Sequence, residues 1–204
     1  MKTFSIDEAI KHGWALFKVN KKLLIITTIL FLILSNLNNQ GGRGYYQHGS
    51  LVVWLVLFAV GILIKIGWYK ILLKVEDGVA TSPKELFTHI DSFLKYLAVY
   101  ILYVLSMIIG FVLLITPGFY MALKYGFAPI IILDKKDISI GDAFRKSAEI
   151  TDGVKWKLLW AFIVLGFLNF VGLLVLVVGL LVSIPVSMLA YVHIYRILSK
   201  VETA

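Results

Sequence analysis

Residues 158–195 read LLWAFIVLGFLNFVGLLVLVVGLLVSIPVSMLAYVHIY, a stretch of 38 residues without Asp, Glu, Lys or Arg. As one helix it would be about 57 Å long at about 1.5 Å per residue, whereas the hydrocarbon core of a bilayer is about 30 Å thick. The stretch therefore predicts two membrane-crossing helices, over residues 158–177 and 180–198, joined by a turn near Val178 and Gly179.

The composition of the whole chain indicates the same class. Its 204 residues are 60% hydrophobic and 16% charged, against about 45–50% apolar and about 25% charged in soluble domains. The net charge of +8 comes from basic residues that flank the apolar runs. We therefore expect contact with anionic lipids at the cytoplasmic face of the bilayer and no nucleic-acid partner. The chain contains no cysteine, which excludes disulfides and cysteine-ligated metal sites.

Four earlier apolar runs predict further spans. They cover residues 23–37, 51–64, 96–115 and 119–133. Residues 116–118 (TPG) predict a tight turn between the third span and the fourth. Trp68 and Tyr69 lie among lysines after the second run, so we interpret them as residues of the membrane interface.

The distribution of basic residues predicts the orientation. Eighteen of the 20 Lys and Arg residues fall in the segments on one side of the membrane, Arg43 falls on the other side, and Lys124 lies within a span. The positive-inside rule then predicts an all-α, multi-pass protein of the cell membrane with six spans and both termini in the cytoplasm.

Each pair of spans follows a cytoplasmic segment with a shared pattern, an acid three residues after a serine. The pattern occurs in residues 5–8 (SIDE), 82–85 (SPKE) and 139–142 (SIGD). This is the spacing of a capping box, so we expect three interfacial amphipathic helices. On the first of these helices the predicted apolar face consists of Ile6, Ile10, Trp14 and Phe17.

The ends of two spans also match. Residues 68–77 (WYKILLKVED) and 194–203 (IYRILSKVET) are identical at six positions. The chain, taken as one membrane domain over residues 1–204, is therefore interpreted as three helix-hairpin units, over residues 5–77, 82–137 and 139–203. The alternative is that serine caps and basic span ends, which are common features, arose independently in each unit.

Lys124 is the one ionisable residue well inside a predicted span, and charged groups at membrane depth indicate function by default. No acid lies in any predicted span to pair with it. Lys124 is expected to reach the membrane surface, to donate to carbonyls freed by Pro129, or to hold a phosphate or carboxylate. Asn169 is the second candidate for a ligand or lipid site, with an interhelical hydrogen bond as the alternative role.

The histidines are His12, His48, His89 and His193. None stands at metal-ligand spacing with another histidine or a carboxylate on one helix face, so the sequence predicts no metal site. His12 and His89 are interpreted as solvated residues of interfacial helices, and His193 as an interface residue with a proton relay as the alternative. The sequence also predicts no catalytic set and no cofactor.

Part of the chain resembles known membrane proteins. The similar features within residues 117–159 are Pro117-Gly118, Lys124-Tyr125 and residues 134–137, 139–146 and 155–157. They resemble the DUF975-type family of prokaryotic integral membrane proteins and the membrane domain joined to some glycerophosphodiester phosphodiesterases. In the latter proteins the activity belongs to a separate soluble barrel. The resemblance therefore implies a membrane module and not a phosphodiesterase.

These observations favour a non-enzymatic integral membrane protein that interacts with lipid or supports membrane and envelope homeostasis. The alternative is a transporter of a small solute or lipid, with a path between the helix hairpins that Lys124 and Asn169 would line. The sequence leaves the oligomeric state open.

Overall fold

The computed structural model describes residues 3–45, 51–135 and 137–201, excluding the side chains of residues 35–45, 51, 53, 54, 115, 176, 177 and 201. The described residues form nine α-helices, two short 3-10 helices and no β-strand. The α-helices are α1 (Ile6–Val19), α2 (Lys21–Tyr45), α3 (Leu51–Glu76), α4 (Phe93–Leu113), α5 (Ile115–Tyr125), α6 (Ala128–Asp134), α7 (Ile140–Thr151), α8 (Lys155–Leu174) and α9 (Leu176–Val201). The 3-10 helices are Pro83–Phe87 and Ile90–Ser92.

The predicted all-α class is confirmed. Among the described residues, four helical segments are long and apolar enough to cross a membrane: Leu55–Glu76, Pro83–Leu113, Lys155–Leu174 and Val178–Lys200. The predicted first span falls within α2, whose side chains from residue 35 onward lie outside the described set. The predicted fourth span is not one helix, because α5 and α6 are separate. Six spans therefore stay a prediction.

Pro129 explains the break between α5 and α6. A proline has no N–H to continue the backbone ladder of a helix, so the carbonyl four residues earlier, that of Tyr125, receives no bond from it. Two neighbouring backbone groups at the break bond to other elements. The Tyr191 hydroxyl of α9 donates to the Gly126 carbonyl at 2.8 Å, and the Phe127 N–H donates to Ser147 Oγ of α7 at 3.2 Å. Tertiary contacts therefore satisfy backbone groups where water has little access.

Both hairpin turns differ from their predicted positions. The α8–α9 turn lies at Val175, and Gly179 belongs to α9. The α4–α5 turn lies at Leu114, and Pro117 belongs to the first turn of α5, where a missing N–H costs nothing. The glycines serve packing instead of turning, since a Cβ at Gly179 would overlap the Gly172 carbonyl across the hairpin.

The serine caps form in two of the three predicted units. Ser5 Oγ accepts from the Glu8 N–H at 3.3 Å, and Ser139 Oγ accepts from the Asp142 N–H at 3.1 Å. Ser82 makes no side-chain cap, and the two 3-10 helices follow it in place of the predicted amphipathic helix. Fully buried Leu86 lies with its backbone directly against Gly67 of α3, so this segment packs into the bundle. The three-unit repeat stays a hypothesis.

Helix α1 buries most of the predicted apolar face. Phe17 is buried and Ile6 and Ile10 are partly buried against the core, whereas Trp14 is 43% exposed. The helix also comes close to α9, where a Cβ at Gly13 would stand 2.7 Å from the Val186 carbonyl oxygen. Small residues allow backbones to approach closely, so α1 packs along α9 through its small-residue edge.

Helix α9 lies at the centre of the bundle. It contacts α1, α2, α3, α7 and α8, and its buried side chains include Leu189, Ala190 and Val192. Trp68 of α3 is only 1% exposed and belongs to this core, so its assignment to the membrane interface is wrong. Large apolar side chains of α4 and α8 face outward, as expected of helices that meet lipid tails.

Gly179→Ala is predicted to destabilise the α8–α9 hairpin by about 1–3 kcal/mol, because the added methyl overlaps backbone that cannot move aside. Gly166→Ala is the matched control, since a Cβ at Gly166 meets nothing within 4 Å. The control should be neutral or stabilising by up to about 1 kcal/mol. Thermal unfolding in detergent, followed by tryptophan fluorescence, measures both. Equal unfolding temperatures for the two variants would contradict this packing.

Candidate functional site

A cavity of about 590 Å³ lies among α3, α4, α5, α6, α8 and α9. Five tyrosines line it: Tyr69, Tyr96, Tyr100, Tyr103 and Tyr191. Three of them recur on one face of α4, because residues 96, 100 and 103 stand at helical spacing. That spacing is the signal in the sequence that could have predicted the site. Tyr69, which we expected at the membrane interface, lines this internal space.

The cavity reaches the protein surface between α5 and α8. Phe119 of α5 and Ile163 of α8 both line it, yet they are 51% and 50% exposed. Gly166 lies beside them in the lining and leaves open space where a side chain would stand. The opening therefore lies on a lateral face of the bundle, where a lipid could approach.

Asn169 and Ser187 form the polar part of the lining. Asn169 Nδ2 donates to Ser187 Oγ at 3.0 Å and thereby links α8 to α9. The single Ser187 proton has two possible acceptors, the Ile184 carbonyl at 2.9 Å and Asn169 Oδ1 at 3.3 Å. With the shorter bond made, Asn169 Oδ1 stays available as an acceptor at the cavity wall. Asn169 thus combines the interhelical bond with a position in the lining.

Lys124 lies in the last turn of α5 and is not a lining residue of this cavity. Its ammonium stands over the Tyr125 ring at 5.2 Å and over the Tyr120 ring at 5.8 Å. Lys155, the first residue of α8, stands over the same Tyr120 ring at 5.2 Å. Two cations therefore share one tyrosine beside the gap between α5 and α8.

The backbone around Lys124 is also held. Its carbonyl accepts from Ser147 Oγ at 2.9 Å and from Thr151 Oγ1 at 3.3 Å. Donation by Lys124 to carbonyls freed by Pro129 was among the expected roles, and it stays a prediction. The Gly126 carbonyl next to the break accepts from Tyr191. No carboxylate of the described residues lies within ion-pair distance of Lys124, which leaves its charge facing the tyrosine rings.

A second polar cluster joins the ends of three helices. Arg196 of α9 makes two parallel hydrogen bonds to Asp134 of α6, at 2.7 and 2.8 Å, and a third to Asp77 at 2.7 Å. The Tyr195 hydroxyl donates to the same Asp134 carboxylate at 2.7 Å. Paired oxygens and a planar guanidinium make this a strong, geometrically specific contact.

The structure also locates the histidines. His12 and His193 stack on one another and both contact Glu76, so neither is the simple solvated or interface residue that we expected. His89 Nε2 stands 3.8 Å from Glu85. His48 lies outside the described residues.

Comparison with protein-family models, with curated proteins and with solved structures finds no match for this chain. The function is therefore inferred from the cavity and the charged groups next to it.

Arg196→Ala is predicted to lower the free energy of unfolding by about 3 kcal/mol, because it leaves the Asp134 carboxylate, only 16% exposed, without its cationic partner. Arg145→Ala is the matched control: Arg145 is 72% exposed and pairs with Asp142 on the surface of α7. Exposed pairs contribute about 0–1 kcal/mol. Denaturant or thermal unfolding in micelles compares them, and similar losses would show that the Arg196 cluster is not a structural junction.

Proposed function

We propose that this chain is a non-enzymatic integral membrane protein that holds an anionic lipid. One acyl chain occupies the tyrosine-lined cavity, and the headgroup lies on Lys124 and Lys155. The observation that carries the proposal is the coincidence of the two features: the cavity opens between α5 and α8, and these helices carry the two lysines over the one Tyr120 ring.

The size and chemistry of the cavity suit such a ligand. A volume of about 590 Å³ lies within the usual range of about 300–1,000 Å³ for ligand sites. The walls next to the opening are apolar, through Phe119, Leu159 and Phe162. The acceptor on Asn169 could take a hydroxyl group. An apolar body with a few polar contacts matches a lipid better than a hydrophilic solute.

The charge at the opening suits an anionic headgroup. Lys155 already forms an ion pair with Asp152, whose carboxylate lies 2.6 Å from the Lys155 ammonium. Lys124 therefore supplies most of the positive charge available to a ligand. Tyrosine rings hold such ammonium groups in place through cation–π attraction without neutralising them.

We further propose the cell membrane as the location, with both termini in the cytoplasm. The support is the segregation of basic residues and the resemblance to DUF975-type membrane proteins. A membrane-impermeant maleimide should label Gly42→Cys in intact cells and Lys136→Cys only after permeabilisation, since the chain has no other cysteine. The reverse pattern would invert the orientation.

Filling the cavity should displace the lipid. Gly166→Leu places a side chain in the open space of the lining, so we expect native mass spectrometry to show at least a ten-fold loss of retained lipid. Gly141→Leu on α7 is the matched control, because Gly141, like Gly166, is exposed and a Cβ there meets nothing within 4 Å, but Gly141 does not line the cavity. Equal lipid retention by the two variants would count against the cavity as the binding site.

Removing the two lysines should change which lipid is retained. We expect the double variant Lys124→Ala, Lys155→Ala to lose its preference for anionic over zwitterionic lipids in mixed micelles. The control with the same loss of charge is Lys18→Ala, Lys84→Ala, at two exposed positions away from the cavity. An unchanged preference in the first double variant would refute the headgroup assignment.

A transporter is the second candidate, favoured by the broken helix next to the cavity. Discontinuous helices often form substrate sites in transporters, and Pro185 in α9 gives a second irregular point near Ser187. A transport path must admit water. Labelling of Gly166→Cys by a water-soluble thiol reagent from both sides of the membrane would favour transport, and the absence of labelling would favour the lipid.

A further inference from the structure

His12, Glu76 and His193 meet although they are far apart in the chain. His12 Nε2 stands 3.2 Å from one carboxylate oxygen of Glu76, and His193 Nδ1 stands 2.7 Å from the other. The two imidazole rings stack with their centroids 3.8 Å apart. One atom of each residue can be chosen so that all three atoms lie within 4.8 Å of one another. Two imidazole nitrogens, from α1 and α9, and a carboxylate oxygen, from α3, thus lie close together.

These distances are close to those of a metal site. An ion with bonds of about 2.0–2.2 Å in tetrahedral geometry holds its ligand atoms about 3.3–3.6 Å apart. The two N···O separations, 3.2 and 2.7 Å, are slightly shorter than this range, and all three ligand atoms lie within 4.8 Å of one another, so side-chain rotations would produce the spacing. Two imidazoles and a carboxylate are also a recurring ligand set for zinc and other divalent ions of the first transition row.

The surroundings hold these residues in place. The Glu76 side chain is 6% exposed, and the His193 side chain is 21% exposed. The close approach at Gly13 fixes the neighbouring His12 against α9. Arg196 donates a hydrogen bond to Asp77, the residue next to Glu76, so its guanidinium is bonded to Asp77 and not to Glu76. In the described contacts the only partners of the Glu76 side chain are the two imidazoles.

We infer that His12, Glu76 and His193 form a binding site for a divalent transition-metal ion of the zinc class. Three protein ligands leave one position for water. The bound ion would clamp α1 onto α3 and α9, because each ligand comes from a different helix. This inference is independent of the proposed lipid site, since none of the three residues lines the cavity.

The competing explanation is a purely hydrogen-bonded cluster, in which each imidazole donates one proton to Glu76. Both explanations require the three side chains to be close. Only the metal site requires that Zn²⁺ bind with a stoichiometry of one and that both histidines contribute to its affinity.

The test uses the full chain in detergent micelles, free of any histidine tag and stripped with a chelator. Isothermal titration with ZnCl₂ should show one ion per chain. His12→Gln, His193→Gln and Glu76→Gln should each weaken the affinity by at least about ten-fold, since losing even an outer-shell partner costs about 10–100-fold. His89→Gln is the control and should leave the affinity within about two-fold, because His89 lies apart from this cluster.

Two further readouts separate loss of the site from loss of the fold. Zn²⁺ should raise the unfolding temperature of the wild type and of His89→Gln, but not of His12→Gln, whose altered side chain is 37% exposed and should be tolerated. Co²⁺ should give the visible absorption bands of a four-coordinate ion only when both histidines are present. No binding by the wild type, or binding unaffected by His12→Gln and His193→Gln, would overturn the inference.

Discussion

The ion pair between Arg196 and Asp134, extended to Asp77, is the contact on which the arrangement of the helix ends depends. It joins the ends of α3 and α6 to α9, the central helix. Separating a partly buried ion pair leaves a charge that water cannot fully solvate. Movement of one helix end away from the others is therefore unfavourable. The same contact positions the end of α3, and with it Glu76, beside His12 and His193.

Close backbone approaches provide the second constraint. Gly13 allows α1 to reach α9, and Gly172 and Gly179 allow α8 to do so. Lipid tails are as apolar as the side chains, so apolar burial alone does not drive such helices together. Their association depends on tight packing and on polar contacts between them. The hydrogen bond between Asn169 and Ser187 adds such a contact to the α8–α9 hairpin. The cavity borders this α8–α9 contact, because Asn169 and Ser187 both line it.

The broken helix links the packing to the proposed lipid site. Pro129 interrupts the ladder between α5 and α6, and Tyr191 and Ser147 bond to the Gly126 carbonyl and the Phe127 N–H at the break. Tyr191 therefore has two roles, because it also lines the cavity. Lys124 reaches the Tyr120 ring within α5, because residues 120 and 124 are one helical turn apart. Lys155 reaches the same ring from the first position of α8.

The sequence by itself determined the helical class, the apolar segments and the caps at Ser5 and Ser139, because these depend on composition and on contacts within a few residues. Only the tertiary structure decided the rest. Turn positions shifted because Gly179 and Pro117 serve helix packing and a helix start instead of turns. In the cluster of His12, Glu76 and His193, the two histidines are 181 positions apart in the chain. No local spacing encodes that meeting, since it arises from how α1 and α3 pack on α9.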